Sequence, residues 1–346
     1  MLLATALAGF VLAGCTQEAS PPLDAGLIAA SSRSVPLGVF HGSAATEDVA
    51  TFGARLGRPV DLAHDYLDKR RWSSITEVSH LTDRWRAAGF AGRTVFTVPM
   101  IPDTGGTLAS GARGRYNAYF RTLARRLVAG GHDMAILRLG PEFNGTWFKW
   151  TINVRDGGRL FASYWRQIVV TMRSVKGARF RFDWAPNAGS SYVASGRQLS
   201  AASAYPGDRY VDYIGMDVFD QSWEAGPKSD VRRWRHLVGQ RDGLNWHARF
   251  ANAHRKPMTF PEWGLVKRRN DNRGGGDAPY FITQMYNWMK KHPVAYHLYF
   301  ESRDPSGDYR VFGGKFPKAA KRFISLFGVP PTQRAKPPAR APVTPA

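Results

Sequence analysis

From Leu37 to about residue 328, short apolar runs alternate with stretches whose apolar residues recur every three or four positions. The runs are LGVFHG (37–42), VDLAHDY (60–66), TVFTVPM (94–100), AILRLGPEF (135–143), FRFDWAPN (180–187), YIGMDVFD (213–220), MTFPEWG (258–264) and AYHLYFE (295–301). Short apolar runs that stop at Gly, Pro, Asp or Asn are the pattern of buried strands. Between them the period changes to that of a helix. Tyr116, Tyr119, Phe120, Leu123 and Leu127 form one apolar stripe, and Phe161, Tyr164, Trp165, Ile168 and Met172 form another. Phe281, Met285, Trp288 and Met289 form a third. One-sided helices of this kind pack on something, so most of these aromatic residues are read as core.

Eight strand–helix units in series predict an α/β fold, a single-domain (β/α)8 TIM barrel over residues 36–328. The longer gap at 221–256 predicts a loop over the mouth followed by a helix at 243–255. A doubly wound open sheet is the main alternative. The strand count and the lack of a Gly-rich phosphate loop after the first strand weigh against it.

The flanks read differently. The apolar stretch from Met1 to Ala13 is too short to span a membrane, and it runs into Leu12-Ala13-Gly14-Cys15. Residues 1–14 predict a signal peptide, although no Lys or Arg precedes the run. Leu12 to Cys15 resemble a bacterial lipobox, which implies lipidation of Cys15 and a secreted protein held at the membrane through that anchor alone. Residues 15–35 predict a flexible tether, and the Pro-, Ala- and Arg-rich end, 329–346, a disordered tail. Cys15 is the one cysteine in 346 residues, so no internal disulfide can form.

A formal net charge of +21 points to an anionic partner or to a solvated basic surface. The denser basic stretches are DKRRW (68–72), VRRWR (231–235) and VKRRNDNR (266–273). No nucleic-acid motif accompanies them, and no nucleic-acid partner is expected. No H-E-x-x-H, EF-hand loop or G-x-S-x-G occurs, so neither metal, cofactor nor serine nucleophile is expected.

In a parallel barrel the C-terminal ends of the strands carry the chemistry. Here those ends hold His41, His64, Asp65, Arg138, Glu142, Asp183, Trp184, Asn187, Asp217, Asp220, Glu262, Trp263 and Glu301. Glu142 ends the fourth strand and Glu262 the seventh. Two carboxyls across a pocket are what glycoside hydrolysis requires: one protonated to protonate the leaving oxygen, one ionised to attack or stabilise the anomeric carbon. The eleven tryptophans fit that reading, because sugar rings stack their C–H faces on indole.

The segment E-x-N-G-x-W-F-x-W (Glu142 to Trp150), with Arg138 four residues ahead, resembles the acid/base segment of glycoside hydrolase family 26. FDWAPN (182–187), YPGDRYVDYIGMDVFD (205–220) and KPMTFPEWG (256–264) resemble that family's fifth-, sixth- and seventh-strand segments. The resemblance implies a retaining clan A glycosidase of β-mannanase type, a monomer acting on a polysaccharide or oligosaccharide. Glu142 would be acid/base and Glu262 the nucleophile. Arg138, which the family pattern uses to orient the nucleophile, is a candidate substrate-site residue together with Asn144, Trp147, His64, Trp184, Asp217 and Trp263. Two positions depart from the pattern. Pro141 stands where the family carries His before the acid/base, and Phe219 stands where many members carry a strand-six Tyr that touches the nucleophile. The expectation is hydrolysis of a β-linked polysaccharide, first of all β-1,4-mannan. The alternatives are another, acidic β-glycan or a weakly catalytic, sugar-binding barrel.

Overall fold

The computed structural model describes residues 35–189, 191–192, 198–222, 229–271 and 273–329. The signal segment, Cys15, all of the tether but Val35, and the tail from 330 lie outside the described residues. Eight parallel strands close into a barrel: β1 (Leu37–Phe40), β2 (Leu62–Tyr66), β3 (Thr94–Val98), β4 (Ile136–Leu139), β5 (Arg181–Trp184), β6 (Tyr213–Phe219), β7 (Met258–Gly264) and β8 (Val294–Phe300). Each strand pairs with its neighbour in sequence, and β8 pairs with β1 to remove the last edge. All eight runs read from the sequence are these strands.

Helices cover the outside. The stripes around Phe120, Phe161 and Phe281 fall on helices Asn117–Ala129, Gly157–Arg173 and Pro279–Lys291 and are largely buried, except that Tyr116 stands just before its helix and Tyr119 is exposed. Burying a side chain of that size contributes roughly 1.5–3 kcal/mol. Trp85, Trp165, Trp184 and Trp263 are fully buried. Trp150 is buried as well, and Trp72, Trp234, Trp246 and Trp288 pack partly buried against the same core, so most of the tryptophan content among the described residues is packing.

The gap between β6 and β7 holds the expected helix, at Leu244–Ala253, and a second one, Asp230–Gly239. Basic residues crowd VRRWRHLV, which is why it reads as a loop. Tertiary contacts override that pattern. Ser229 caps the helix at Arg232 N (3.3 Å), and Arg233 is buried in ion pairs with Asp220 (2.8 Å) and Asp230 (2.7 Å). Residues 223–228 of this gap lie outside the described residues.

Two irregularities position the rim. In β7 one extra residue fits between partners on both sides: Gly215 and Asp217 of β6 face Thr259 and Glu262, while His297 and Tyr299 of β8 face Phe260 and Trp263. The bulge includes Pro261, which has no N–H to give to a ladder, and it re-aims Glu262. After β4 the chain turns sharply through left-handed conformations at Gly140 (φ 47°) and Glu142 (φ 50°). Gly140 also has no room for a side chain, since a Cβ there would meet Met100 Sδ at 2.5 Å. A non-glycine residue at positive φ stores strain that packing must hold in place.

Candidate active site

That packing is visible residue by residue. Phe143 is fully buried, with ring centroids 4.5 Å from Phe161 and 5.1 Å from Trp184. Trp150 Nε1 donates to Pro141 O (2.8 Å), and its ring stacks on Phe148 at 4.4 Å. Asn144 Nδ2 donates to Asn187 O (2.8 Å) and Gly189 O (2.7 Å), while its Oδ1 accepts from Asn187 N (2.8 Å). Glu142 N donates to Ala185 O at 3.0 Å. The loop carrying Glu142 is thereby fastened to the exit of β5.

Glu142 and Glu262 open into one cavity of about 560 Å³ at the C-terminal mouth of the barrel. Aromatic side chains form much of its wall: Phe40, Tyr66, Trp147, Phe219, Phe300 and Tyr309. Polar groups enter from the loops after β6, β7 and β8, among them Gln221, Arg268, Asp304 and Ser306.

The two carboxyls sit in opposite electrostatic settings. Glu142 is pushed up from its ordinary 4.5 to about 7, first by burial and next by the charge of Glu262. Arg138 and a hydrogen bond from Trp147 Nε1 (2.8 Å) act against that rise. Glu262 instead accepts from Arg138 Nη1 at 2.8 Å and from the Tyr66 hydroxyl, both on Oε2. Arg138 is fully buried and also pairs with Asp217. One group is thus adapted to hold a proton near neutrality, and the other is held by a cation.

The remaining expected contacts are corrected by the geometry. Of the seven candidate substrate residues, Trp147 lines the cavity and is 55% exposed. His64 is buried one layer below Tyr66, with Nε2 2.8 Å from Thr97 Oγ1. Asp217 is buried as the partner of Arg138, and Arg138 lies beneath Glu262 without lining the cavity. Asn144 fastens the loop. Trp184 and Trp263 follow inward-facing Asp183 and Glu262 by one residue, so the strand period of two turns them toward the helices. Trp184 packs on Phe143 and Phe250, and Trp263 on Phe323.

The same period marks what was missed. Tyr66 lies two residues beyond His64 on the same face of β2, hence one layer nearer the mouth. Phe40 ends β1 and Phe300 ends β8 in the same way. Asp304, Ser306 and Tyr309 come from the loop after β8. The buried carboxyl group of Glu301 shapes that loop by accepting from Val311 N (2.6 Å) and Phe312 N (2.8 Å). Within the basic stretches near the rim, Lys69 pairs with Asp103 (2.8 Å), Arg70 with Asp68 (2.5 Å) and Arg268 with Asp271 (2.7 Å).

Comparison with known proteins fits this geometry. Residues 96–249, from inside β3 through most of the helix before β7, match the profile described as Glycosyl hydrolase family 26. Over that span the chain resembles the family 26 glycosyl hydrolases. The matched span includes Glu142 and ends before Glu262. Endoglucanase H of Acetivibrio thermocellus is 23% identical over 262 residues, 73% of this chain. The chain spans about a quarter of that relative's length, 26%. Among solved structures, the catalytic domain of a family 26 endo-β-1,4-mannanase from Bacillus sp. JAMB-750 superposes with a TM-score of 0.56, at 19% identity over 87% of each chain. A modular endo-β-1,4-mannanase from Cellulomonas fimi gives a TM-score of 0.60 at 20% identity, covering 88% of this chain and 73% of that one. These structural likenesses establish the barrel architecture.

Proposed function

We propose that this chain is a retaining glycoside hydrolase of family 26 type acting on β-linked polysaccharides, with Glu142 as acid/base and Glu262 as nucleophile. One observation carries the reading: two carboxyls, one from the loop after β4 and one from β7, share a cavity, one raised to about 7 and one held by a buried arginine.

In the first step a Glu262 oxygen attacks the anomeric carbon. The glycosidic C–O bond breaks, its electron pair goes to the leaving oxygen, and that oxygen takes the Glu142 proton. A glycosyl ester of Glu262 results, and the charge that held the Glu142 proton is gone. Glu142, now a carboxylate, takes a proton from water as the water oxygen attacks the same carbon. The ester C–O bond breaks and its electrons return to Glu262. Both inversions occur at one carbon, so the configuration is retained.

Trp147 offers an exposed indole beside Glu142 on which a sugar ring can stack. β-1,4-Mannan is the first substrate of this reading, because the structural neighbours include endo-β-1,4-mannanases. The endoglucanase relative adds β-glucans to the panel. Purified protein is assayed on mannan, glucomannan, β-1,3-xylan and mixed-linkage glucan, with product stereochemistry followed by NMR. Release of β-configured reducing ends that vanishes in Glu142→Ala and Glu262→Ala supports the reading. No cleavage of any of these glycans, or activity indifferent to both substitutions, rejects it.

A further inference from the structure

We infer that Tyr66, entering from β2, is a positioning residue for Glu262, and that with Arg138 it makes Oε1 the oxygen that attacks the sugar. This inference rests on the proposed hydrolase reading. Its basis is which oxygen the donors occupy. The Tyr66 hydroxyl and Arg138 Nη1 both donate to Oε2 of Glu262. Among the described residues no donor is bonded to Oε1. Lone pairs committed to two donors are poorer nucleophiles than free ones, so bond formation falls to Oε1.

The phenol is well held for this task. Its ring lies edge-on to Phe40 at 4.5 Å and tilted on His64 at 4.7 Å. Burial, and after it the charge of Glu262, pushes its ionisation well above the ordinary value, so it remains a donor at any working pH. It also reaches Glu262 from a distant part of the barrel, since β1 and β8 stand between β2 and β7. The strand-six position next to the nucleophile strand carries Phe219, paired with Gly264 in the β6–β7 register, and has no donor to offer.

The charge on Oε2 changes through the cycle, which gives Tyr66 a kinetic signature. When Oε1 bonds to the sugar, Oε2 becomes an ester carbonyl and both hydrogen bonds weaken. When the ester C–O bond breaks, the negative charge returns and they strengthen. Tyr66 therefore favours deglycosylation over glycosylation.

The test is Tyr66→Phe, which removes one oxygen atom, assayed on an aryl glycoside of the sugar identified by the glycan panel. A hydrogen bond to a charged group contributes about 1.5–3 kcal/mol, which corresponds to a fall in kcat of about 10–150-fold. KM falls with kcat, kcat/KM changes far less, and a burst of aryl alcohol precedes the slow steady state. Intact mass then shows one added glycosyl group, on the peptide bearing Glu262. A merely structural role would lower kcat without lowering KM and without a burst, and that result overturns the inference, as does an unchanged kcat. Should Tyr66→Phe not fold, the wild-type protein decides. In a crystal structure trapped with the matching 2-deoxy-2-fluoro glycoside, the ester runs through Oε1, and Tyr66 stays within hydrogen-bond reach of Oε2. An ester through Oε2 overturns the inference. Loss of activity in Glu262→Ala, with no intermediate accumulating in Tyr66→Phe, removes the role of Tyr66 alone. Activity indifferent to Glu262→Ala and Glu142→Ala, or absent on every glycan, removes the hydrolase reading and this inference with it.

Discussion

The proton on Glu142 has a size that can be worked out and tested. A carboxyl at the ordinary 4.5 is protonated in about 0.3% of molecules at pH 7, and one at about 7 in about half, a gain of roughly 150-fold in acid-competent enzyme. Burial is the larger cause and the charge of Glu262 the next, with Arg138 and the Trp147 N–H opposing. The pH profile of kcat/KM on a cleaved glycan should accordingly lose activity as pH rises through about 7, because the ionised form cannot protonate the leaving oxygen. Trp147→Phe keeps an aromatic face but removes the N–H that favours the carboxylate. It should move this basic limb upward, by up to about one unit. Glu262→Gln removes the neighbouring charge and should move the titration downward, read by carbon-13 NMR of the Glu142 carboxyl because turnover is lost. A basic limb near pH 4.5, or a downward move in Trp147→Phe, would refute the electrostatic account even if both glutamates prove essential.

Further outcomes follow from the buried charges. Arg138→Met leaves Asp217 and Glu262 without their shared cation and should cost about 3–5 kcal/mol of stability, read by denaturant unfolding. Adding Asp217→Leu should recover part of that loss, and strict additivity of the two changes would show that the pair is not coupled. Burial pushes Glu301 up to about 8, so the folded form binds its proton more tightly than the unfolded chain. Its contribution is full below pH 4.5 and is lost as pH rises through about 8, and Glu301→Gln should flatten that part of the stability curve. The same substitution leaves one of the two loop N–H groups, Val311 or Phe312, without its acceptor, so amide exchange in residues 302–312 should accelerate. Exchange equal to the wild type would rule out Glu301 as the anchor of this wall of the cavity.

The strand–helix alternation, the eight barrel strands and the two rim glutamates could all be read along the chain, because they depend on local period and on where apolar runs stop. The order of strands around a parallel barrel then follows from short right-handed connections. The neighbours of Glu142 and Glu262 could not be read that way. Proximity to a strand end marked Trp184 and Trp263 as sugar contacts, but the pleat sends adjacent residues to opposite faces, and both became core. His64 was one layer too deep, and Tyr66, two residues on, was the side chain at the mouth. Trp147 and Trp150 lie three residues apart in one loop, yet one is exposed and the other buried. The charge-rich helix at Asp230–Gly239 depended on a partner, Asp220, supplied by the end of another element. Sequence alone therefore determined the barrel and the strand ends at which its acids lie. Tertiary structure decided which side chains reach those acids, because side-chain depth, loop anchoring and the β7 bulge arise only when the sheet closes on itself.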